Sequence, residues 1–401
     1  MRIVVVHNRY RSVAPSGENR VVDRERAALV AAGHEVEWFE RDSDDIEGWP
    51  VARRATLPGR MIWSRESYRG LRAVLAERRP DVVHVHNTFP LLSASVLYAC
   101  RAAGVPVVTT LHNYRLMCAP GSFFRSGAVC HDCVTGPAIQ AVVHACYRDS
   151  RSATASLVAA NIVHRQAWRS LVSAYVFISA AQRDLLAGLD LPPERVFVRH
   201  NLIPRRVAAG DGAATRDDYV LYAARLDEAK GVRLLMAGWD AYLSTSGAAR
   251  LRLVIAGAGE LEREVAGWAS ARPSVQLVGH ADEARCARLM SRARAVVLPS
   301  AWEEPFGLVA VEAMAAGAPP MAAAHGAFTE LITPGVDGVL FTAGDPAALG
   351  AALGDLVANP DRYQAYGVQA RETYQKRFDP ERNIEQLIEI YRYAMANPRV
   401  A

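Results

Sequence analysis

Glu304 and Glu312 lie eight residues apart in the stretch Leu298 to Gly317, LPSAWEEPFGLVAVEAMAAG. Were that stretch helical throughout, the two carboxylates would be about 12 Å apart. That is too far to share a proton, so they engage two different parts of one extended ligand. Between them, Pro305 suits a first helical position, because its missing N–H would find no helical partner there. The backbone N–H groups of Phe306, Gly307 and Leu308 then fall at the open, electropositive end of a helix, where a phosphate binds. Carboxylates accept hydrogen bonds from hydroxyls. A ligand with a polyol, a phosphate and a second polyol in series satisfies all three features, and a nucleotide sugar is the economical choice. Two glutamates solvated on a helix surface are the plain alternative.

A second cluster carries the opposite charge. Arg225 and Lys230, in ARLDEAKGV, follow the apolar run YVLYAA, with Gly231 and a helix start beside them. A guanidinium and an ammonium so spaced after a strand form a compact anion site. Gly257 and Gly259 follow another apolar run in LRLVIAGAGELE, but Glu262 stands where a dinucleotide fingerprint needs its third glycine, so an NAD site is not read there. The run VQLVGH ends at Gly279 and His280, whose backbone groups are placed to read a base.

The segments PS, EPFGLVAVE and EAMAAG together resemble the family-four retaining glycosyltransferases, which have the GT-B fold. The resemblance spans nearly the whole chain and is strongest from Tyr219 to Phe341. It implies that Glu304 touches the donor sugar, Glu312 the ribose, and Arg225 and Lys230 the diphosphate. The opening strand, glycine-containing loop and helix followed by GHEV are also similar to the family, with Ser16 and Gly17 in place of its usual paired glycines.

Two further strands, in DVVHVHN and VPVVTTLHNY, deliver His86 and His112 to their carboxyl ends. An open α/β sheet binds ligands at that edge. A histidine there is often structural, and His86 is read so. The resemblance implies that His112 contacts the donor sugar near the reacting centre.

Cys118, Cys130, Cys133 and Cys146 lie within thirty residues, two of them as CHDC. Four thiolates suffice for a closed structural zinc site, with His131 and His144 as substitutes. Buried thiols and a redox role are the competing readings. Cys100 and Cys286 stand alone and read as core residues.

The elements that must carry these groups follow from the apolar pattern. Short, unbroken apolar runs alternate with longer amphipathic stretches, the signature of an α/β protein with parallel sheets. With 401 residues, two domains are expected. The boundaries read as 1–203 for an N-terminal Rossmann-like acceptor-side domain with a cysteine-containing insert at 115–150. A nucleotide-sugar-binding domain follows at 204–377, and residues 378–401 form a helix returning to the first domain. The Gly- and Ala-rich segment from Ile203 to Asp218 reads as the linker. In GT-B terms, two such domains face each other across a cleft.

Composition narrows the class. Apolar residues make up 51% and charged residues 22% of the chain, as in ordinary soluble proteins. No apolar run is long enough to span a bilayer, and MRIVVVHN turns polar too soon for a signal peptide, so a cytoplasmic location is expected. A net charge of +4 without interleaved basic and aromatic residues argues against nucleic acid as a partner. Between Val51 and Arg79, however, eight arginines face two acidic residues, Glu66 and Glu77. With Arg65, Arg69 and Arg72 on one helical face, that segment suits peripheral docking on an anionic membrane surface, as well as plain solvation.

The resulting expectation is a metal-independent, retaining hexosyltransferase of polysaccharide or glycolipid biosynthesis. Its donor would be a nucleoside diphosphate sugar and its acceptor a hydroxyl on a glycan, glycolipid or natural product. No catalytic metal is expected, because basic residues and a helix end already neutralise the diphosphate. A nucleotide-sugar epimerase of the same fold and a non-catalytic nucleotide-sugar-binding protein are the alternatives.

Overall fold

The computed structural model describes residues 1–12, 16–205, 216–246 and 250–399. The chain divides into two compact units. One consists of Met1–Phe123, His131–Leu202 and Glu381–Ala401, the other of Phe124–Cys130 and Ile203–Pro380. Most of the linker assigned from sequence, like the middle of the loop before Gly17, lies outside the described residues.

The first unit opens with strands β1 (Arg2–Arg9), β2 (Glu35–Asp42), β3 (Val82–Val85) and β4 (Val107–Leu111); the short hairpin that follows in the chain, β5 (Phe124–Arg125) and β6 (Ala128–Val129), belongs to the second unit. Strands β7 (Ala174–Phe177) and β8 (Val196–Val198) complete an all-parallel sheet in the order β2-β1-β3-β4-β7-β8. The unbroken apolar run in β1 is explained by burial on both faces. Val4 and Val6 join one core with Leu71, Leu97 and Tyr175, while Ile3 and Val5 join another with Leu29 and Val176. Alternation of side chains across the strand produces that division. The second core also takes Ile384, Leu387, Ile390 and Tyr391 from the helix Pro380–Ala396, so the end of the chain covers this sheet.

The second unit holds β9 (Tyr219–Ala223), β10 (Arg252–Ala256), β11 (Val275–Gly279), β12 (Ala295–Leu298), β13 (Pro320–Ala323) and β14 (Val339–Phe341). They form a parallel sheet ordered β11-β10-β9-β12-β13-β14. Pro320 begins its strand, but β13 lies inside the sheet between β12 and β14, not at an edge. A proline costs least at a strand's first residue, where its missing N–H removes the least pairing.

Each sheet reverses its strand order at one point, between β1 and β3 in the first unit and between β9 and β12 in the second. Loops leaving the carboxyl ends of two strands on either side of a reversal diverge and open a crevice, which is where such sheets bind ligands. Both sheets are therefore Rossmann-like, and the loops after these four strands are the places to look.

Candidate functional site

In the second unit, the loop after β9 contains Arg225 and Lys230, and the loop after β12 contains Glu304. The two loops are stitched together. Ala301 N–H donates to the Ala229 carbonyl at 2.9 Å. A Cβ on Gly231, at φ +71°, would stand 1.7 Å from the Pro299 carbonyl oxygen, so only glycine lets the backbones approach this closely. The Lys230 ammonium donates to Glu304 Oε1 at 2.5 Å and lies 4.9 Å from the centre of the Trp302 ring. Ser300 Oγ donates to the same carboxylate oxygen at 2.9 Å. Arg225 pairs with Asp227 at 2.9 Å, and Asp227 in turn accepts the Lys230 N–H at 2.8 Å.

Burial alone would push the Glu304 carboxyl up, but the Lys230 ammonium and its hydrogen bonds outweigh that and hold it below the usual carboxylate value. Glu304 is therefore an anion ready to accept hydrogen bonds. Its own backbone is fixed by Ala327 N–H, which donates to the Glu304 carbonyl at 3.0 Å.

The helix after this loop begins later than the sequence suggests. It runs Leu308–Ala315, with Gly307 as its cap at φ +87°. Pro305 and Phe306 precede it, so Pro305 is not its first helical residue. The reason is local: the chain turns through a left-handed conformation at Gly307, where a Cβ would meet the Phe328 ring at 2.6 Å, and Phe306 is driven into the core. Leu308 is the first helical residue, and Glu312, one turn further on, is buried within the helix. Gly279 ends β11, where its carbonyl accepts Gly257 N–H at 2.8 Å. The structure thus brings Arg225, Lys230 and Glu304 together and places Phe306, Gly307, Leu308 and Glu312 directly after them. Trp302, Ser300 and Asp227 were not singled out from sequence. Their proximity to the motif residues was the available signal.

The first unit holds His112 and Gly17. Gly17 is the first residue of the helix Gly17–Ala31, capped by Ser16, whose side chain accepts Glu18 N–H at 3.2 Å. At the ends of β1 and β3 the loops are locked by amides. Asn87 Nδ2 donates to the Asn8 carbonyl at 2.8 Å, and Asn8 Oδ1 accepts Leu91 N–H at 2.8 Å. His112 follows β4, and its Nε2 lies 2.9 Å from His86 Nδ1. Burial lowers both imidazoles, His112 to about 3 and His86 well below its ordinary value, so both are neutral near pH 7. His112, Asn113 and Arg115 line a cavity that also touches His86, Phe89 and Asn161.

Nothing in the geometry supports the expected zinc site: among the described residues, none of Cys118, Cys130, Cys133, Cys146, His131 and His144 belongs to a group of three ligand atoms close enough to share a metal. Their surroundings explain why these thiols are present. Cys118 lies in the main apolar core, where its sulfur accepts Phe123 N–H at 3.3 Å. Cys133 and Cys146 pack against a small apolar cluster built on Ala119, Ala141, Leu157 and Val158. Cysteine acts in these places as a small apolar residue.

Comparisons with known proteins decide the family. Residues 208–373 match the model described as glycosyl transferases group 1, and residues 15–206 match that of glycosyltransferase family 4. The chain is a family-four glycosyltransferase. It is 28% identical to a glycogen synthase of Mycobacterium tuberculosis, over 94% of this chain and 91% of that one. It is also 27% identical to a D-inositol 3-phosphate glycosyltransferase of a Nocardioides species, over 87% and 75%. Solved structures share its fold. Sucrose-phosphate synthase from Thermosynechococcus elongatus superposes with a TM-score of 0.70 at 20% identity, covering 98% of this chain and 99% of that one. HepE of Anabaena, in complex with UDP-glucose, gives 0.66 at 18% identity, covering 97% and 98%. The fold class is accordingly GT-B.

Proposed function

We propose that this glycosyltransferase moves a sugar from a nucleoside diphosphate donor to a hydroxyl acceptor with retention of anomeric configuration. The observation that carries this reading is the meeting of Lys230 and Glu304, delivered from β9 and β12 to the strand-order reversal of the second sheet. Arg225, Lys230 and the amides of Phe306, Gly307 and Leu308 take the diphosphate. As the phosphate arrives, Lys230 exchanges Glu304 for a phosphate oxygen, and the freed carboxylate accepts hydroxyls of the donor sugar. Glu312 takes the ribose, the Gly279 backbone the base, and His112 of the first unit the donor sugar; Gly17 approaches the diphosphate. HepE's complex with UDP-glucose supports a uridine nucleotide as the first donor to test.

Cleavage of the sugar–phosphate bond loads negative charge onto the leaving phosphate. Fixed cations and amides aimed at that charge act mainly in the transition state, which is what lowers the barrier. The departing phosphate oxygen takes the acceptor's proton and the acceptor attacks from the same face, without a carboxylate nucleophile. The relatives named as glycogen synthase and D-inositol 3-phosphate glycosyltransferase support an acceptor rich in hydroxyls. The arginines of the helix Arg65–Arg78 support peripheral docking on the cytoplasmic face of an anionic membrane, since Arg65, Arg69 and Arg72 are exposed while Leu71 and Leu75 are buried.

A thermal-shift screen of nucleotide sugars, followed by anomeric analysis of the transferred product, tests the reading. One nucleotide sugar is expected to raise the melting temperature and yield a product of unchanged anomeric configuration. Inversion at the anomeric carbon, or no shift with any nucleotide sugar, would overturn it.

A further inference from the structure

Beneath His112 lies a buried polar cluster that nothing so far has used. The helix Gly17–Ala31 buries Val21, Val22 and Leu29 against the first sheet, and on that same face it also buries Glu25. The Glu25 carboxylate is gripped on one side by Arg199, whose Nη1 donates to Oε2 at 2.7 Å and whose Nη2 donates to the same oxygen. Its other oxygen, Oε1, lies 3.2 Å from His84 Nδ1 and 3.4 Å from His86 Nε2. His84 is already committed on both nitrogens, to Tyr391 Oη and to Thr110 Oγ1, each at 2.8 Å. His86 Nε2 and Glu25 Oε1, by contrast, are both buried with no hydrogen bond formed, and at 3.4 Å they face each other as two unsatisfied polar atoms.

Glu25, His84 and His86 offer three ligand atoms within 4.8 Å of one another, the arrangement of a metal site. Arg199 argues against that use. A guanidinium already occupies the carboxylate, and bringing a second cation beside it in a buried site would be costly. The same carboxylate is better suited to hold a proton in place.

We infer that Glu25 and His86 form a relay that fixes the tautomer of His112, so that its Nδ1 faces the ligand as a hydrogen-bond acceptor. A buried carboxylate beside Arg199 is an anion and accepts only, so His86 Nε2 carries the proton that faces it. His86 Nδ1 is then a lone pair. His112 Nε2, 2.9 Å away, must donate to it, which leaves the proton off His112 Nδ1. Both rings are neutral for the reason already given, and the Glu25 carboxyl is consistent with its part: burial pushes it up, but Arg199 and His84 pull it to about 2. His7, whose ring centre lies 6.2 Å from that of His86, also faces the cluster and is bonded to Asn19 at 2.9 Å.

This rests on the assignment of His112 to the donor sugar and adds the chemistry of its contact. His112 Nδ1 accepts from a sugar hydroxyl and would repel a phosphate oxygen. Glu25 and His86 are positioning residues, since they act only through His112.

Nitrogen-15 labelling of the histidines, with long-range correlation of ring protons to ring nitrogens, reads each tautomer in the unliganded wild-type protein. His86→Gln and His112→Gln assign the two signals. The expected result is a proton on Nε2 of both rings and none on Nδ1. In Glu25→Gln, His112 should become a mixture of tautomers, and kcat should fall on the order of tenfold with the KM for donor nearly unchanged. If Glu25→Gln does not fold with Arg199 left unneutralised, Glu25→Gln/Arg199→Gln removes both charges together. A proton on His112 Nδ1 in the wild type, or the same tautomer with unchanged kcat in the foldable variant, would overturn the relay. The spectra do not depend on turnover, so a protein that fails as a glycosyltransferase but shows the tautomer separates the two claims.

Discussion

The two sheets place charged and polar groups at the same topological position and treat them in opposite ways. At the reversal of the second sheet, the cations remain within reach of solvent: the Arg225 side chain is 50% exposed and that of Lys230 21%. At the first, Glu25, His84, His86 and Arg199 are all at least 97% buried in their side chains. Reachable cations paired with carboxylates can change partners when a phosphate arrives. Buried groups whose partners are all internal cannot, and serve to hold one another. In the roles proposed above, the second unit binds charge and the first orients a neutral imidazole.

That contrast can be broken by substitution. Arg199→Ala leaves a buried carboxylate unpaired and should cost about 3–5 kcal/mol of stability, measured by denaturant unfolding. A loss below about 1 kcal/mol would show the first cluster to be as yielding as the second. Lys230→Ala should do the reverse. We expect turnover to fall about a hundredfold, equivalent to about 3 kcal/mol, with a smaller loss of stability than in Arg199→Ala, because Ser300 still donates to the Glu304 carboxylate. Wild-type rates, or an unfolded variant, would erase the distinction.

The pH dependence follows from the same burial. His7 is lowered to about 4 and His112 to about 3, both chiefly by desolvation. Below about pH 6.5 these imidazoles bind protons in the unfolded chain and not in the folded one, so they lower stability as the pH drops. Glu18, pushed up to about 7 by burial, takes up its proton first in the folded chain and offsets part of that loss. Glu25 adds to the loss below about pH 4.5, since its folded value lies near 2. Stability that stays flat from pH 7 down to pH 4.5 in Glu18→Gln, which lacks that offset, would contradict the buried, neutral imidazoles. The smallest effect concerns the surface. Each of Arg65→Ala, Arg69→Ala and Arg72→Ala should weaken sedimentation with anionic vesicles by about 1 kcal/mol, and equal binding of the wild type to neutral and anionic vesicles would remove the membrane from the account.

Much of this architecture was legible in the sequence because parallel strands buried on both faces leave unbroken apolar runs, as in Ile3–Val6 and Ala295–Leu298. Asp345 caps the helix Pro346–Ala358 by accepting Ala347 N–H at 2.8 Å, as an Asp-Pro pair at a helix start implies. The central loop was only half legible. Its charged residues suggest their ligand, but the delayed helix start depends on Gly307 fitting against Phe328, 21 residues further along the chain. The cysteines are hard to read because spacing along the chain carries no information on whether sulfurs converge. Glu25 was missed for a different reason. It shares its helix face with Val21, Val22 and Leu29, and a glutamate in an apolar stripe was the available sign of a buried partner, but Arg199 lies 174 residues away.

Titration calorimetry of uridine diphosphate into the wild-type protein and into Lys230→Ala tests the central claim most directly, because it asks whether the loops after β9 and β12 hold a pyrophosphate. We expect saturable one-to-one binding to the wild type and at least a tenfold weaker affinity in the variant, a difference of about 1.4 kcal/mol or more. Equal affinity in the two proteins would contradict it.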